Sequence, residues 1–313
     1  MILIVDSQKN TITYPRDLNE DVHNIFYYDI ENSEDGNKIK GYFYDIKSCA
    51  NKEDTKSWLA QSWVINQGKM WGSSSGQKLI AHSAKHSPEK SHFTIQKMTN
   101  LNGAILFKYL ESSLFAIATT PTEWPGYENT VFVYIIEGST GRIVHQFFEK
   151  NVITDKPINM LLDENMLIFT FQRIGKFGEG IQQIQSVNLY EQTIKQSPRD
   201  VIVDYISGKT SQTVYGEMPT AIQQAYVFQH QIKSIGISRT AQGITGKDIL
   251  LILENNQVYA LKQQLISPRR PLDETMNENL EADMSGNLQS KELPPYDAMI
   301  PFNPLSIVSH KYK

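Results

Sequence analysis

The amino-acid sequence predicts an all-β protein built as a β-propeller, with blades of antiparallel strands. Short apolar runs of strand length recur along the chain, and polar turns separate them. Neighbouring runs pair as hairpins, in units of roughly forty residues. A solenoid would show a tighter and more regular period, and a sandwich rarely needs 313 residues. Because both ends of the chain read as strands, we expect an incomplete set of blades.

The first third of the chain contains the first strand pairs. Residues 1–5 and 11–14 predict a hairpin around a polar turn. Residues 25–30 and 39–46 predict the next pair, since their aromatic and β-branched side chains pack well on a pleated surface. Residues 47–92 have a weaker pattern, which indicates loops and one short strand.

The middle of the chain shows a sharper strand pattern. Residues 104–110 and 114–119 are two apolar runs, and residues 130–136 lead into 143–147 through the turn 137–141, Glu-Gly-Ser-Thr-Gly. Hydroxyl groups of such a turn bond to the backbone, and its glycines permit positive φ angles. The turn therefore predicts a hairpin with positive φ at both glycines.

Four further strands and one helical turn are predicted between residues 166 and 237. Residues 166–171 form a strand, and 181–190 is expected to pair with 193–195. Residues 217–233 are expected to hold one helical turn before a strand at Ile235.

A glycine-rich segment follows the strand at 166–171. Gly175, Gly178 and Gly180 resemble a phosphate-binding loop in spacing alone. Such a loop needs a following lysine-serine pair and a helix whose N-terminus faces the phosphate, and the sequence supplies neither. We interpret the segment as a turn.

The strongest hairpin signal lies at residues 248–261. Two apolar runs, 248–254 and 257–261, flank Asn255 and Asn256, which tolerate a left-handed conformation. After this hairpin comes a basic exit, Pro268-Arg269-Arg270-Pro271. Each arginine can form a forked contact with a carboxylate of a partner. Pairing within the same chain, which would fix the exit of the hairpin, is the favoured interpretation.

The sequence predicts three regions. Residues 1–271 hold the propeller blades, and 272–292 form an acidic flexible loop or linker, with a short docked helix as the alternative. Residues 293–313 are rich in proline and predict an extended segment. We expect it to lead to a final strand and a membrane helix that the sequence does not contain.

Composition excludes several classes of protein. The net charge is −4 and no basic run occurs, so nucleic acid is not an expected partner. A single cysteine, Cys49, excludes an internal disulfide framework and a cysteine-rich zinc site. His82, His86 and His92 are the one candidate metal set, but Pro88 and the lack of a helix favour solvated loop histidines. No apolar run approaches about eighteen residues, so no membrane span is predicted.

Residues 239–261 and the Pro-Arg-Arg-Pro block together resemble a known family. The first stretch reads RTAQGITGKDILLILENNQVYAL, and residues 25–44, 131–146 and 293–304 agree in the same order. The chain resembles the C-terminal lumenal region of subunit 1 of the endoplasmic reticulum membrane protein complex. Ser267 departs from the family, which commonly has an aspartate there. The candidate structural or interaction residues are those of the two most specific blocks: Gly243, Thr245, Pro268, Arg269, Arg270 and Pro271.

The resemblance implies a β-propeller of the quinoprotein-like kind and a non-catalytic role. The family acts as a lumenal scaffold in the endoplasmic reticulum membrane, where the complex inserts and stabilises transmembrane segments of client proteins. Implied partners are the other subunits of the complex and client membrane proteins. The resemblance implies no catalytic residue, cofactor or metal, and membrane attachment through a helix outside this chain.

Two other functions compete with the scaffold. A quinone-dependent dehydrogenase on the same kind of propeller needs a calcium ion held by carboxylate and amide oxygens, and a base beside the cofactor. The sequence offers no such set, and a fold alone does not confer a function. A soluble ligand-binding propeller is the other alternative.

Overall fold

The computed structural model describes residues 2–5, 11–14, 25–31, 38–44, 59–66, 77–83, 97–99, 105–111, 113–121, 125–191, 218–238, 247–271 and 293–308. Strands account for nearly all of the regular structure in these ranges, which confirms the all-β prediction. The described helical residues form two short 3-10 helices, Gln263–Ile266 and Pro304–Ser306. Neither is long and apolar enough to cross a membrane.

The strands are numbered in chain order. They are β1 (Ile2–Val5), β2 (Thr11–Tyr14), β3 (Ile25–Glu31), β4 (Lys38–Tyr44), β5 (Leu59–Asn66), β6 (Gln77–His82), β7 (Lys97–Thr99), β8 (Ile105–Phe107), β9 (Leu114–Pro121), β10 (Val131–Glu137), β11 (Ile143–Glu149), β12 (Asn159–Asp163), β13 (Met166–Ile174), β14 (Gly180–Tyr190), β15 (Thr220–Phe228), β16 (Ile232–Ile237), β17 (Asp248–Leu253), β18 (Val258–Lys262) and β19 (Ile307–Val308).

The chain divides into two compact units. The first comprises Met1–Ile80 and Ser113–Gln146, and the second comprises Ala81–Ser112 and Phe147–Lys313. Strands β1–β5, β9 and β10 belong to the first unit. The second unit contains the two four-stranded sheets with the most complete description, ordered β12-β13-β14-β15 and β16-β17-β18-β19.

Each sheet of the second unit is a meander, in which strands that follow in sequence are also neighbours in space. All pairs in these sheets are antiparallel. A four-stranded antiparallel meander is the blade of a β-propeller. The sheet β6-β9-β10-β11 is also four-stranded, although β7 and β8 lie between β6 and β9 in the chain. The predicted fold class is therefore confirmed at the level of the blades.

Two local predictions in the second unit are wrong. The segment 217–233 does not form a helical turn before its strand, because Thr220–Phe228 is β15 and pairs with β14 along its whole length. β14 does not pair with 193–195, because β13 occupies one edge and β15 the other. Tyr226 and Phe228 are buried on one face of β15, which is the period of two expected of a strand.

The turn after β10 contains two glycines, Gly138 and Gly141, and each position requires glycine for a different reason. Gly141 has a φ of +74°, as the sequence predicts. Gly138 has no positive φ, so that part of the prediction is wrong. A Cβ on Gly138 would lie 2.7 Å from the carbonyl oxygen of Ser113, to which its N–H donates at 3.0 Å. Gly138 is required by this close approach of two backbones.

We expect Gly138→Ala to lower the free energy of unfolding by about 1–3 kcal/mol, because the backbone carbonyl of Ser113 has to move away from the new methyl group. Gly236→Ala is the matched control, since a Cβ there meets nothing within 4 Å. The control is expected to be neutral or to stabilise by up to about 1 kcal/mol. Urea unfolding measures both, and equal effects of the two substitutions would contradict the steric account.

Each unit has its own apolar core. In the first unit, Tyr28 of β3 stacks on Phe115 of β9 with ring centroids 4.0 Å apart. All seven residues of β10 are buried, as expected of an inner strand that packs on both faces. In the second unit the core is shared by both blades. Its fully buried members include Ile184, Ile249, Leu251, Leu261, Ile266 and Ile300.

Residues 293–308, called here the returning segment, dock on both blades of the second unit. Beside β15, the N–H of Val227 donates to the carbonyl of Ala298, and the N–H of Ile300 donates to the carbonyl of Val227. Farther along, the segment supplies β19, which pairs with β18. The segment thus adds the fourth strand of the last sheet, a strand that the sequence was not expected to contain.

Several predictions fall outside the described residues. These include the loop at 272–292, Gly243, Thr245, His86 and His92. The division into 1–271, 272–292 and 293–313 stays a prediction. The hairpin of β17 and β18 is confirmed, and Asn256 in its turn has a φ of +60°.

Candidate functional site

The double-arginine turn, residues 268–271, begins with a β-turn after β18. The N–H of Arg270 donates to the carbonyl of Ser267 at 3.2 Å, and Pro268 occupies the second turn position. The N–H of Arg269 lies 3.3 Å from the Ser267 hydroxyl, which accepts its hydrogen bond. Serine and aspartate both favour the first turn position for this reason. Ser267 therefore performs locally what an aspartate would do there.

The Arg270 side chain is buried and donates to backbone carbonyls of its own chain. Nη1 donates to the carbonyl of Leu265 at 2.7 Å, and Nε to those of Pro294 and Pro295 at 3.1 Å each. Nη2 also donates to the carbonyl of Pro295. The guanidinium thus joins the exit of β18 to the beginning of the returning segment. These acceptors are carbonyls of the same chain and not the carboxylate of a partner.

Tyrosines enclose the guanidinium of Arg270. It lies 5.6 Å from the ring centre of Tyr226 and 6.0 Å from that of Tyr296, distances at which a cation interacts favourably with an aromatic ring. The Tyr296 hydroxyl donates to the carbonyl of Ala225 at 2.7 Å, and its N–H donates to that of Pro271 at 2.8 Å. The returning segment is held from both sides of the turn.

Two side chains of β15, Tyr226 and Gln224, form hydrogen bonds with backbone carbonyls of the turn. The Tyr226 hydroxyl lies 2.8 Å from the carbonyl of Ser267, and the side-chain amide of Gln224 donates to the carbonyl of Arg270 at 3.1 Å. Burial raises the pKa of Tyr226, and the opposing charge of Arg270 does not cancel this effect. The phenol therefore stays protonated and remains a hydrogen-bond donor.

Arg269 points to a different strand. It is 1% exposed, and its guanidinium lies 5.9 Å from the ring centre of Tyr190, the last residue of β14. Burial raises the pKa of Tyr190, although the charge of Arg269 and hydrogen bonds, including one from Asn188, oppose it. The two arginines therefore connect one turn to the last two strands of the neighbouring blade, the inner strand β14 through Arg269 and the edge strand β15 through Arg270.

The structure brings together four of the six candidate residues. Arg269, Arg270 and Pro268 are buried, and the carbonyl of Pro271 accepts from Tyr296. Sequence reasoning missed the residues that surround them. These are Tyr190, Gln224, Tyr226 and Tyr296. The sequence contained one indication, and only for two of them: Gln224 and Tyr226 are two positions apart, which places both on the same face of a strand.

A second polar cluster joins three segments of the second unit. The ammonium of Lys247 lies 2.6 Å from Asp163 and 3.0 Å from Glu164, and Lys108 lies 2.7 Å from Glu164. Glu164 occupies the turn between β12 and β13 with a φ of +52°. All four side chains are largely shielded from solvent. Ion pairs so shielded contribute more than exposed ones.

The charges in this cluster shift the pKa values of Glu164 and Lys247. Burial alone would raise the pKa of Glu164, but hydrogen bonds and charge from Lys108 and Lys247 lower it overall. Burial alone would lower the pKa of Lys247, but Asp163 and Glu164 raise it overall. Both shifts favour the charged forms in the folded protein.

We expect Glu164→Gln to lower the free energy of unfolding by about 1–3 kcal/mol at pH 7, because two ammonium groups lose a charged acceptor. The contribution of Glu164 is present above its unfolded pKa of 4.5 and is lost as the pH falls through its lower folded pKa. The difference between the two proteins should therefore shrink below pH 4.5. Asp155→Asn, at an exposed position, is the control. A pH-independent difference would contradict the charge-based account.

The described residues contain no group of three His, Cys, Asp or Glu side chains placed to hold a metal ion. His82 is exposed, and its Nδ1 lies 3.1 Å from the carbonyl oxygen of Ser83.

The second unit has two consecutive four-stranded meanders, and the double-arginine turn after β18 connects one to the other. This arrangement defines the protein as a β-propeller domain. The whole chain, residues 1–313, matches the family described as ER membrane protein complex subunit 1, second beta-propeller. The chain belongs to this family.

Curated relatives with the name "ER membrane protein complex subunit 1" are similar to most of the chain. The protein of Schizosaccharomyces pombe is 29% identical over 213 residues, which cover 67% of this chain and 21% of that protein. The protein of Gallus gallus is 25% identical over 289 residues, 90% of this chain and 26% of that protein. The protein of Saccharomyces cerevisiae is 23% identical over 260 residues, 81% of this chain and 31% of that protein. The chain therefore spans about a quarter of the length of these relatives.

Proposed function

We propose that the chain is part of a non-catalytic lumenal scaffold subunit of the endoplasmic reticulum membrane protein complex, which supports insertion and folding of transmembrane proteins. The observation that carries this proposal is the match of all 313 residues to the second propeller of that subunit family. Relatives that bear the name of the subunit support it. The proposed location is the lumenal side of the endoplasmic reticulum membrane, with attachment through a helix outside this chain.

The double-arginine turn is consistent with a scaffold role, because the charged side chain of Arg270 stabilises its own chain. The Arg270 guanidinium is satisfied by carbonyls of its own chain and is covered by tyrosines. We propose that the turn fixes the exit of β18 and the path of the returning segment. Gly243 and Thr245 are proposed to have a structural or interaction role in the same region. Partner binding would then rest with surface loops, which propellers commonly use for recognition.

Co-purification tests membership in the complex. A tagged full-length protein, purified from detergent-solubilised endoplasmic reticulum membranes, should carry the other subunits in fixed ratio, as identified by mass spectrometry. A full-length protein that purifies without them would contradict the proposal. A tagged lumenal protein of unrelated fold serves as the control for non-specific capture.

A second measurement separates a scaffold from a chemical role. Cells that lack the protein should insert fewer copies of a multi-spanning reporter, scored by glycosylation of its lumenal loops, and should lose the other subunits in parallel. Restoring the protein should restore both. Loss of insertion while the other subunits remain assembled would show that the protein does more than hold them together.

A further inference from the structure

One end of the blades in the second unit carries an unusual number of exposed apolar side chains. This end, called the apolar end, contains the β13–β14 turn at 175–179, the β17–β18 turn at 254–257 and the later part of the returning segment. Strand register places them together, because Val227 near the end of β15 contacts Met299 and Val258 at the start of β18 pairs with Val308. Ile232, the first residue of β16, donates its N–H to Gln182 near the start of β14.

The exposed apolar residues of the apolar end come from separate segments. Phe177 is 89% exposed and Leu305 is 92% exposed, and Ile174, Ile252, Met299 and Val308 are also exposed. The opposite end has fewer among the described residues, and Met218, next to β15, is one of them. Apolar side chains that gather on one surface of a soluble domain indicate an interaction site.

Local hydrogen bonds hold these side chains in position. In the β13–β14 turn, Glu179 accepts two backbone hydrogen bonds. The N–H of Phe177 donates to its carboxylate at 2.9 Å, and the N–H of Gly175 donates to its backbone carbonyl at 2.7 Å. Gly178 completes the turn with a φ of +86°. The turn thus presents Phe177 to solvent in a defined position.

Leu305 is presented by an equally ordered turn. The side chain of Asn303 accepts the N–H of Leu305 at 3.0 Å, and the N–H of Asn303 donates to the Tyr259 hydroxyl at 3.2 Å. Phe302 stacks on the ring of Tyr259 at 5.0 Å. A preformed apolar surface of this kind lowers the entropy cost of binding.

Charge distinguishes a protein partner from a lipid surface. Among the sixteen residues of the returning segment, Asp297 is the one that carries a charge. At the β13–β14 turn, Lys176 is offset by Glu179. At the β17–β18 turn, Glu254 is offset by Lys233 of β16, whose ammonium donates to the side chain of Asn256 at 3.4 Å. Surfaces that bind lipid headgroups carry lysine and arginine beside their apolar residues, whereas the centres of protein interfaces are apolar and depleted in charge. The apolar end has no excess of lysine and arginine over acidic residues, so a protein partner fits it better than a lipid surface.

We infer that the apolar end is the surface on which another subunit of the same complex docks, through an apolar patch that accommodates Phe177 and Leu305. This inference rests on the proposed function, which requires partner subunits. It adds the surface that they use and the chemistry of the matching patch. Phe177 and Leu305 are the anchors, because they are the most exposed large apolar residues of the described chain.

Photo-crosslinking in the intact complex tests the inference. The photoreactive residue p-benzoylphenylalanine replaces Leu305 or Phe177 in the tagged full-length protein, and the purified complex is irradiated. Met218 is the matched control, since it is exposed at the opposite end of the same blades. We expect adducts to one co-purifying subunit at positions 177 and 305, at least about tenfold above position 218.

Each other outcome overturns the inference. Lipid adducts at 305 and 177 would show that the end faces the bilayer. Adducts confined to the chain itself, or at the level of the control, would show that no subunit docks there. A wild-type protein that purifies without other subunits overturns the proposed function and the inference with it, whereas an intact complex without adducts overturns the inference alone.

A charged substitution provides an independent measurement. Leu305→Asp combined with Phe177→Asp should release the docked subunit from the purified complex, with at least about tenfold weaker retention. Met218→Asp should leave retention unchanged. Both substituted residues are exposed, so the fold is expected to survive, and unchanged urea unfolding of the variant verifies this. Retention equal to wild type would contradict the inference.

Discussion

Replacing Arg270 by methionine is expected to lower the free energy of unfolding by about 3–5 kcal/mol, because three backbone carbonyls lose a charged donor in a buried place. These are the carbonyls of Leu265, Pro294 and Pro295, and a hydrogen bond to a charged group contributes about 1.5–3 kcal/mol. Methionine replaces the aliphatic part of the side chain, so the loss reports on the guanidinium. Urea unfolding followed by fluorescence measures the change.

The same substitution should loosen the returning segment before the rest of the fold. Limited proteolysis is therefore expected to cut within 293–308 faster in Arg270→Met than in wild type. Lys262→Met is the matched control, because Lys262 is exposed at the end of β18 and should change stability by no more than about 0.5 kcal/mol. Arg270→Lys keeps the charge but loses the fork of donors, so an intermediate loss is expected. Equal stability of Arg270→Met and Lys262→Met would contradict the proposed role of the turn.

Local signals in the sequence predicted the hairpins well. The β17–β18 hairpin is formed as expected, since Asn256 adopts the left-handed conformation that few residues tolerate. Strand β10 lies within one residue of its prediction, because a run of seven consecutive apolar and β-branched residues has few alternatives. These signals are carried by neighbouring residues, so a single sequence contains them.

The helical turn predicted at 217–233 is wrong because the structure of this segment depends on pairing with a distant strand. Its alternating polar and apolar residues were ambiguous alone, and pairing with β14, across residues 192–217, decides in favour of a strand. The requirement for glycine at position 138 has the same origin, because Ser113 lies 25 residues away in sequence. Neither contact can be recognised from the types of the neighbouring residues in the sequence.

The double-arginine turn shows why a site is harder to predict than a strand. The sequence indicated that Arg270 pairs within its own chain, but it did not indicate which groups accept its hydrogen bonds. Its acceptors are the carbonyls of Pro294 and Pro295, 24 and 25 residues away, and any residue type supplies a carbonyl. Backbone acceptors are therefore invisible to an argument based on side-chain types.

Replacing Ile300 by alanine is the second large effect expected, with a loss of about 2–4 kcal/mol in the free energy of unfolding. Ile300 is fully buried in the core of the second unit, and its N–H bonds to Val227. Leu305→Ala is the matched control in the same segment, because Leu305 is 92% exposed and its truncation removes almost no buried area. Comparable losses at both positions would contradict the docked arrangement of the returning segment.

The double variant Arg270→Met with Ile300→Ala tests whether the two residues hold one unit. Arg270 binds the beginning of the returning segment and Ile300 packs its centre, so release by either substitution removes contacts of the other. The combined loss is therefore expected to fall short of the sum of the single losses by at least about 1 kcal/mol. Pairing Ile300→Ala with Gly138→Ala, in the first unit, should be additive within about 0.5 kcal/mol. If the losses of Arg270→Met and Ile300→Ala were fully additive, the beginning and the centre of the returning segment would detach independently. The double-arginine turn would then not stabilise the packing of Ile300 in the core.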